Sequence, residues 1–343
     1  MAIQYSRGCP FNCEFCDIIT LNGRVPRTKS ADQLLQELEG LYQGGWRGSV
    51  FIVDDNFIGN KARVKVVLRE IITWMKSRKY PFAFFTEASL NLAEDDELMQ
   101  LMVEAGFNKV FIGLETPEEA SLVECSKMQN TRRDPVSLVR KIQNFGMEVM
   151  GGFIIGFDND PPSIFENQIR FIQNMGVVTA MVGLLNALPG TKLYTRLKEE
   201  RRLLQDSTGN NLDLNLNFVT RMDPRTLIEG YKNVLHSIYS NKSYYERIYR
   251  FLEEFRPNQS IKFNLVWSDF MALIKSFWYI GVASNARYYY WKLITKSLIK
   301  YPKAFPQAVT LAILGEHFKK ILKKYRRLEF EVDVPPSGAH QSN

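Results

Sequence analysis

Up to about residue 200 the chain alternates two textures. Short runs rich in β-branched and aromatic residues, at 3–6, 50–54, 82–87, 109–114, 148–155 and 178–185, alternate with longer stretches whose apolar residues recur every three or four positions. The spacing predicts six strands, each followed by helical text rather than a hairpin turn. The helices carry their own punctuation. Ser30 and Gln33 form a capping-box pattern before Leu34, Leu35, Leu38 and Leu41, and Asp134 with Pro135 opens a helix that Gly146 closes. Gly106 ends another after Leu98, Leu101 and Met102. Strand-helix repetition of this kind predicts an α/β fold around a parallel sheet. No G-x-G-x-x-G follows the first strand, so six βα units fit a partial (β/α)6 TIM-type barrel better than a nucleotide-binding open sheet. In such barrels the loops after the strands carry the chemistry.

Beyond residue 204 the alternation stops. Residues 205–217 are polar and Asn-rich and read as a linker, so we place a boundary near 205. Expected are a barrel over 1–204, a mainly helical, aromatic and basic region over 205–333, and a disordered tail over 334–343. The longest apolar stretches, 266–282 and 304–314, are interrupted by Asp269 and Lys275 or are too short for a bilayer, which needs about 20 apolar residues. No transmembrane helix is expected. The first residues lack the apolar core of a secretory signal, so a cytoplasmic setting is the expectation.

With 45% hydrophobic and 24% charged residues the composition is that of an ordinary globular chain, so specialised chemistry must reside in local motifs. The net charge of +7 is unevenly placed: residues 287–327 hold Arg287, Lys292, Lys296, Lys300, Lys303, Lys319, Lys320, Lys323, Lys324, Arg326 and Arg327 against Glu316 alone. Near the end the cations alternate with Phe318, Ile321, Leu322 and Tyr325, which sets a cationic helix face beside an apolar one. Peripheral contact with an anionic membrane, a solvated face on the domain and RNA binding all fit that pattern. No RNA-binding module accompanies it, which puts nucleic acid last.

The candidate chemistry is in the first loop. Cys9, Cys13 and Cys16 stand as Cys-x3-Cys-x2-Cys, too close together to staple separate elements of a chain this long as disulfides. Thiolates are the usual ligands of iron-sulfur clusters, and three of them hold three irons of a [4Fe-4S] cluster while the fourth stays open. A zinc site would want further cysteines or histidines at ligand spacing, and His236, His317 and His340 do not provide it. Cys125 stands alone and reads as a small helix-face residue.

The run Ser6-Arg7-Gly8-Cys9-Pro10-Phe11-Asn12-Cys13-Glu14-Phe15-Cys16 resembles the signature loop of radical S-adenosylmethionine (SAM) enzymes, with Phe15 as the aromatic residue before the third cysteine. The resemblance implies Cys9, Cys13 and Cys16 as cluster ligands, SAM on the open iron, Phe15 near its adenine, and a reductant such as flavodoxin or ferredoxin. Reductive cleavage of SAM then yields methionine and a 5'-deoxyadenosyl radical. Asp54-Asp55-Asn56-Phe57 resembles the segment that receives the SAM amino group, although a helix N-cap also suits Asp and Asn. Gly113-Leu114-Glu115-Thr116 resembles the ribose-contacting turn, with Glu115 its polar member. Gly152-Phe153-Ile154-Ile155-Gly156 resembles the adenine-contact motif, implying Gly152, Ile154 and Gly156 as cofactor neighbours, and Asn159 replaces the Glu found after it in relatives. Residues 185–191 resemble the family's proline-glycine turn.

Residues 23–27, 53–60, 127–130 and 156–160 are similar to the cobalamin-associated group that includes hopanoid methylases. In that group a domain upstream of the barrel binds cobalamin, which relays a methyl group from SAM to an unactivated carbon, and this sequence starts at the first barrel strand. Three expectations stay open: a truncated, inactive cluster-binding protein, a separate cobalamin-binding partner, or cobalamin-independent radical chemistry on another substrate, tRNA included.

Overall fold

The computed structural model describes residues 1–207, 216–258 and 267–326. The expected tail at 334–343, Arg327 and most of the expected linker lie outside the described residues.

Six strands form one parallel sheet in sequence order: β1 (Ala2–Ile3), β2 (Gly48–Ile52), β3 (Phe82–Ala88), β4 (Phe107–Glu115), β5 (Glu148–Ile155) and β6 (Ala180–Leu184). Among the described residues β1 and β6 do not pair, so the sheet is the open arc expected of a partial barrel. The first strand is shorter than its apolar run predicts. Asp54, just past β2, accepts hydrogen bonds from the Tyr5 and Ser6 amides and thereby pulls the chain off the sheet after β1. Ser6–Arg7 then pairs antiparallel with Arg27–Thr28 as a separate ribbon.

Helices α1 (Ala31–Gln43), α2 (Lys61–Ser77), α3 (Asp96–Ala105), α4 (Pro135–Phe145), α5 (Ile164–Met175) and α6 (Lys192–Glu199) connect or follow the strands. Their punctuation matches the sequence. Ser30 and Gln33 form a complete capping box on α1, Asp134 caps α4 ahead of Pro135, and Gly106 and Gly146 end α3 and α4 in left-handed conformation. Val64, Val67, Leu68, Ile71 and Met75 recur at helical spacing and bury one face of α2. The strands alternate: Val110, Ile112 and Leu114 of β4 are buried, while Phe111 and Gly113 between them line a cavity on the other face.

The rest of the chain is helical: α7 (Pro224–Ile238), α8 (Asn241–Glu254), α9 (Trp267–Tyr279), α10 (Arg287–Lys300) and α11 (Phe305–Arg326). One apolar core runs without interruption from the sheet into these helices. On β6, the Tyr231 hydroxyl donates to the Val182 carbonyl at 2.9 Å and the Tyr239 hydroxyl to the Ala180 carbonyl at 2.7 Å. Successive residues of a strand point their carbonyls to opposite edges, so the carbonyls of residues 180 and 182 face the same way, and the two phenols cover the last strand's outer edge in place of another strand. Among the described residues no helix is long and apolar enough to cross a membrane.

Arg247 of α8 is fully buried beside that junction and donates to the carbonyls of Ile238 and Val178 and to Gln173 Oε1, between the rings of Tyr239 and Tyr244. Burial draws its guanidinium down to about 10. Arg247→Leu would leave those acceptors unpaired and should lower the unfolding free energy by about 2–4 kcal/mol, read by urea denaturation. A change below about 0.5 kcal/mol would mean that the acceptors find other donors.

Candidate active site

The cysteine loop is fastened from two sides. From below, Asp54 is buried and both its oxygens are engaged: Oδ1 by the Tyr5 amide at 2.7 Å, and Oδ2 by the Ser6 amide at 2.8 Å and the Ser6 hydroxyl at 2.6 Å. Asp55 Oδ2 accepts from the Gly8 amide at 2.7 Å and from Asn22 Nδ2 at 3.0 Å. Asn56 directs Nδ2 toward Cys9 Sγ at 3.8 Å and Ser89 Oγ at 3.2 Å. Residues 54–56 therefore grip the loop, and the N-cap of α2 is Asn60, whose side chain accepts from the Arg63 amide. Gly8 has φ +107, and a Cβ there would stand 2.9 Å from the Gly23 carbonyl oxygen, so the turn that delivers Cys9 requires glycine.

From above, the loop is held by the segment after β4 and by α6. Gln129 Nε2 points at Cys13 Sγ at 3.4 Å, and the Glu14 amide donates to the Cys125 carbonyl at 2.8 Å. Arg196 of α6 grips the Glu14 carboxylate at both oxygens, at 2.7 and 3.1 Å, while Lys192 donates to Asn12 Oδ1 at 2.8 Å. Cys125 itself is buried at the end of the short helix Glu119–Glu124, and burial pushes its thiol up to about 12, in keeping with a packing role.

Cys13 is buried, and Cys9 and Cys16 are partly so. Burial raises the thiols of Cys9 and Cys16, the latter to about 11, and each cysteine lies within electrostatic reach of the others. Thiols in that environment ionise when a cation takes the proton's place. Three soft thiol donors on one loop are the ligand type that an iron-sulfur cluster takes, each thiolate on a different iron.

Phe15, Glu115, Gly152 and Ile154 line one cavity of about 1950 Å³. Phe15 and Ile154 pack together with buried Phe157, giving an apolar wall. Glu115 ends β4 at φ +61, a conformation that bulky residues avoid, where the β4–β5 register shifts. There it forms a buried ion pair with Lys127 at 2.6 Å, and the Lys127 ammonium lies 5.9 Å from the centre of the Phe15 ring. Burial works against the Lys127 charge but is outweighed by Glu115 and Cys13, so its pKa is raised. Gly156 does not line the cavity. It has φ +110, and its amide, with that of Phe157, is fixed by Asp160 Oδ2 at 2.8 and 3.1 Å. Asn159 bonds to Glu124 instead.

Lys127, Gln129 and Arg196 had no role in the sequence reading. The first two lie in residues 127–130, where the sequence offers only a family likeness, and Arg196 meets a residue 182 positions away, which no local pattern announces. The basic end of the chain is placed differently from a simple outer face: Lys319, Lys320 and Lys323 line the far end of the same cavity, and Lys319 pairs with Glu316 at 2.8 Å. The side chains of Lys324 and Arg326 lie outside the described residues.

Comparison with known proteins gives a consistent picture. Residues 3–172 match the radical SAM superfamily, and residues 191–329 match a domain of unknown function, DUF4070. An uncharacterised methyltransferase of Synechocystis (sll1242) is 45% identical over 93% of this chain and 60% of its own length, and the hopanoid C-2 methylase of Rhodopseudomonas palustris is 34% identical over 87% and 57%. The chain thus spans about three fifths of these relatives. Among solved structures, the radical SAM methyltransferase TsrM from Kitasatospora setae, with cobalamin and a [4Fe-4S] cluster bound, aligns at TM-score 0.58 and 14% identity over 93% of this chain and 61% of its own. The cobalamin-dependent radical SAM enzyme OxsB aligns at 0.51 and 16% over 95% and 54%. At such identities the likeness is one of fold.

Burial pushes Asp160 up to about 6 from its ordinary 3.8, against the bonds from Ser121, Gly156 and Phe157 that favour its charge. A carboxyl whose folded value lies above its unfolded one adds stability that is complete below pH 3.8 and disappears as the pH rises through about 6. Urea denaturation between those limits should show a decline in the wild type that Asp160→Asn lacks. Parallel profiles for the two proteins would remove Asp160 as the cause.

Proposed function

The chain belongs to the radical SAM superfamily, and on that premise we propose that it is a SAM-cleaving enzyme that methylates an apolar, amphiphilic substrate at an unactivated carbon. The observation that carries this reading is the conjunction of a rigidly held three-cysteine loop with an apolar cavity that begins at Phe15, Glu115, Gly152 and Ile154. The family implies a [4Fe-4S] cluster, SAM and a one-electron reductant. Cys9, Cys13 and Cys16 would hold the cluster, which supplies the electron that cleaves bound SAM to the 5'-deoxyadenosyl radical.

The chain's own residues divide the remaining work. Asp54 and Asp55 keep the loop in register with the sheet, with Asp54's oxygens already committed to the backbone. Asn56 and Gln129 direct amide N–H groups at the Cys9 and Cys13 sulfurs, and the Lys127 ammonium adds positive charge nearby, which together favour the more negative, reduced form. Phe15 and Ile154 offer a flat apolar wall for adenine. A ribose at β4 would meet the Glu115–Lys127 pair rather than an isolated carboxylate.

Beyond the cofactor end the cavity is mostly apolar along β6 and reaches lysines at its far end. That shape suits a substrate with a long apolar body and a polar head, and the hopanoid C-2 methylase relative makes a hopanoid-type lipid the leading candidate. Methyl relay through cobalamin, brought by another domain or a separate partner, is the proposed route, prompted by the cobalamin-binding structural neighbours.

Anaerobic reconstitution should load iron and sulfide with a broad brown absorbance, and dithionite with SAM should release 5'-deoxyadenosine. S-adenosylhomocysteine that appears only with added cobalamin supports methyl relay, and deoxyadenosine without it under both conditions points to cobalamin-independent chemistry. Cys13→Ala should lose both cluster and cleavage. Gln129→Leu should retain the cluster but make it harder to reduce in a potentiometric titration followed by electron paramagnetic resonance. A protein that binds iron yet never cleaves SAM would overturn the catalytic reading.

A further inference from the structure

On the barrel half, large apolar side chains reach solvent singly, as at Leu21, Val66 and Val123, which is normal for a protein surface. The helical region differs. On α9, Trp267, Phe270, Ile274 and Trp278 are 44–74% exposed, and their spacing of three or four residues places them in one stripe. The stripe continues onto α10. Phe277 stacks on Trp291 with ring centres 5.4 Å apart, and the Trp291 indole donates to the Gly281 carbonyl, which joins the two helices. There Tyr288, Trp291 and Ile299 line a shallow groove of about 740 Å³ together with Lys292, Lys296 and Lys300.

We propose that this outer face of α9 and α10 is a docking surface for an anionic lipid bilayer. Three properties favour lipid over a protein partner. The exposed residues are dominated by Trp and Tyr, whose amphipathic rings settle at the boundary between headgroups and acyl chains. The charge is complementary and one-sided: Arg287, Lys292, Lys296 and Lys300 line the groove, and no Asp or Glu is among the described residues that line it. Lysines interleaved with apolar residues along the groove can lay their stems on hydrocarbon and keep their ammonium groups among lipid phosphates.

The position of α9 adds a functional argument. Ala272, Lys275, Ser276 and Tyr279 line the large cavity. At 100° per residue Ala272, Ser276 and Tyr279 fall on the side of α9 away from the Trp267–Trp278 stripe, with Lys275 on its flank. A single helix thus separates the bilayer from a cavity that leads to Phe15 and Glu115, and an amphiphile could pass from membrane to site without crossing water. The docking surface goes beyond the proposed chemistry; only this delivery role rests on that reading, and vesicle binding needs neither cluster nor SAM.

The test is co-sedimentation of the full chain with vesicles of phosphatidylcholine mixed with phosphatidylglycerol, and with phosphatidylcholine alone. Binding is expected to the mixed vesicles, weakened by salt, with a blue shift in tryptophan emission. The double variant Phe270→Ser/Trp278→Ser should bind at least ~10-fold more weakly, and Lys292→Glu/Lys300→Glu should mimic high salt. Both variants should keep the wild-type circular dichroism, iron content after reconstitution and cleavage of SAM in solution. The proposal is overturned if mixed vesicles do not bind the protein, or if the variants bind as well as the wild type. It is equally overturned if gel filtration shows a concentration-dependent dimer that the same variants abolish, since the face would then belong to a second copy. Loss of SAM cleavage in the wild type would count against the proposed chemistry and leave the vesicle result standing.

Discussion

The grip of Asp54 and Asp55 on the backbone of residues 5–8 is the constraint on which the site depends. A buried carboxylate has to find donors, because leaving it unpaired in a low-dielectric interior is strongly unfavourable. Asp54 finds them in the Tyr5 and Ser6 amides and the Ser6 hydroxyl, and Asp55 finds the Gly8 amide. The consequence reaches in both directions. The first strand is cut to two sheet-paired residues, and the chain that leaves it is aimed so that Cys9 follows Gly8 directly into the loop. Burial raises Asp54 despite these donors, a sign of how fully the carboxylate is enclosed.

The same loop is closed from the other side by elements distant in sequence. Arg196 holds Glu14, Gln129 faces Cys13, and Lys127 bridges Glu115 and the Phe15 ring. Arg196 also bonds Asp158, which Arg202 holds at 2.6 Å, so the loop, the turn after β5 and α6 form one charged network. Such a network restrains geometry in a way that isolated surface pairs do not, because each carboxylate is shared and partly buried. Rigidity of this kind suits a site in which soft ligands must be held apart and in register before any metal arrives.

The helical half completes the picture from the opposite end. Its tyrosines cover the outer edge of β6, its core is continuous with the barrel's, and its helices wall the cavity that starts at Phe15. The cations that the sequence crowds into residues 287–327 are divided between two settings, with Lys319, Lys320 and Lys323 at the cavity and Lys292, Lys296 and Lys300 along the outer groove. The division matters for substrate chemistry, since it gives the cavity a polar far end and the outer surface its own charge.

Local physics explains what was legible in the chain alone. Strand and helix periodicity, the capping pairs at Ser30 and Asp134 and the glycines at 106 and 146 act over a few residues, so they declare themselves in order along the sequence, and the cysteine spacing does the same. The roles of Asp54, Asp55 and Glu115 were another matter. Motif likeness singles these residues out for SAM and is silent on their partners within the chain, because a carboxylate's partners are whichever donors folding brings within about 3 Å. Only the assembled barrel could bring Tyr5 to Asp54 and Lys127 to Glu115, and it alone matched Arg196 with a residue 182 positions earlier. The sequence by itself determined the elements, their order and the thiol chemistry of the first loop. Tertiary structure decided which charges pair, which face of each helix meets solvent and where the cavity runs, because those outcomes depend on contacts between segments whose separation along the chain carries no information about their distance in space.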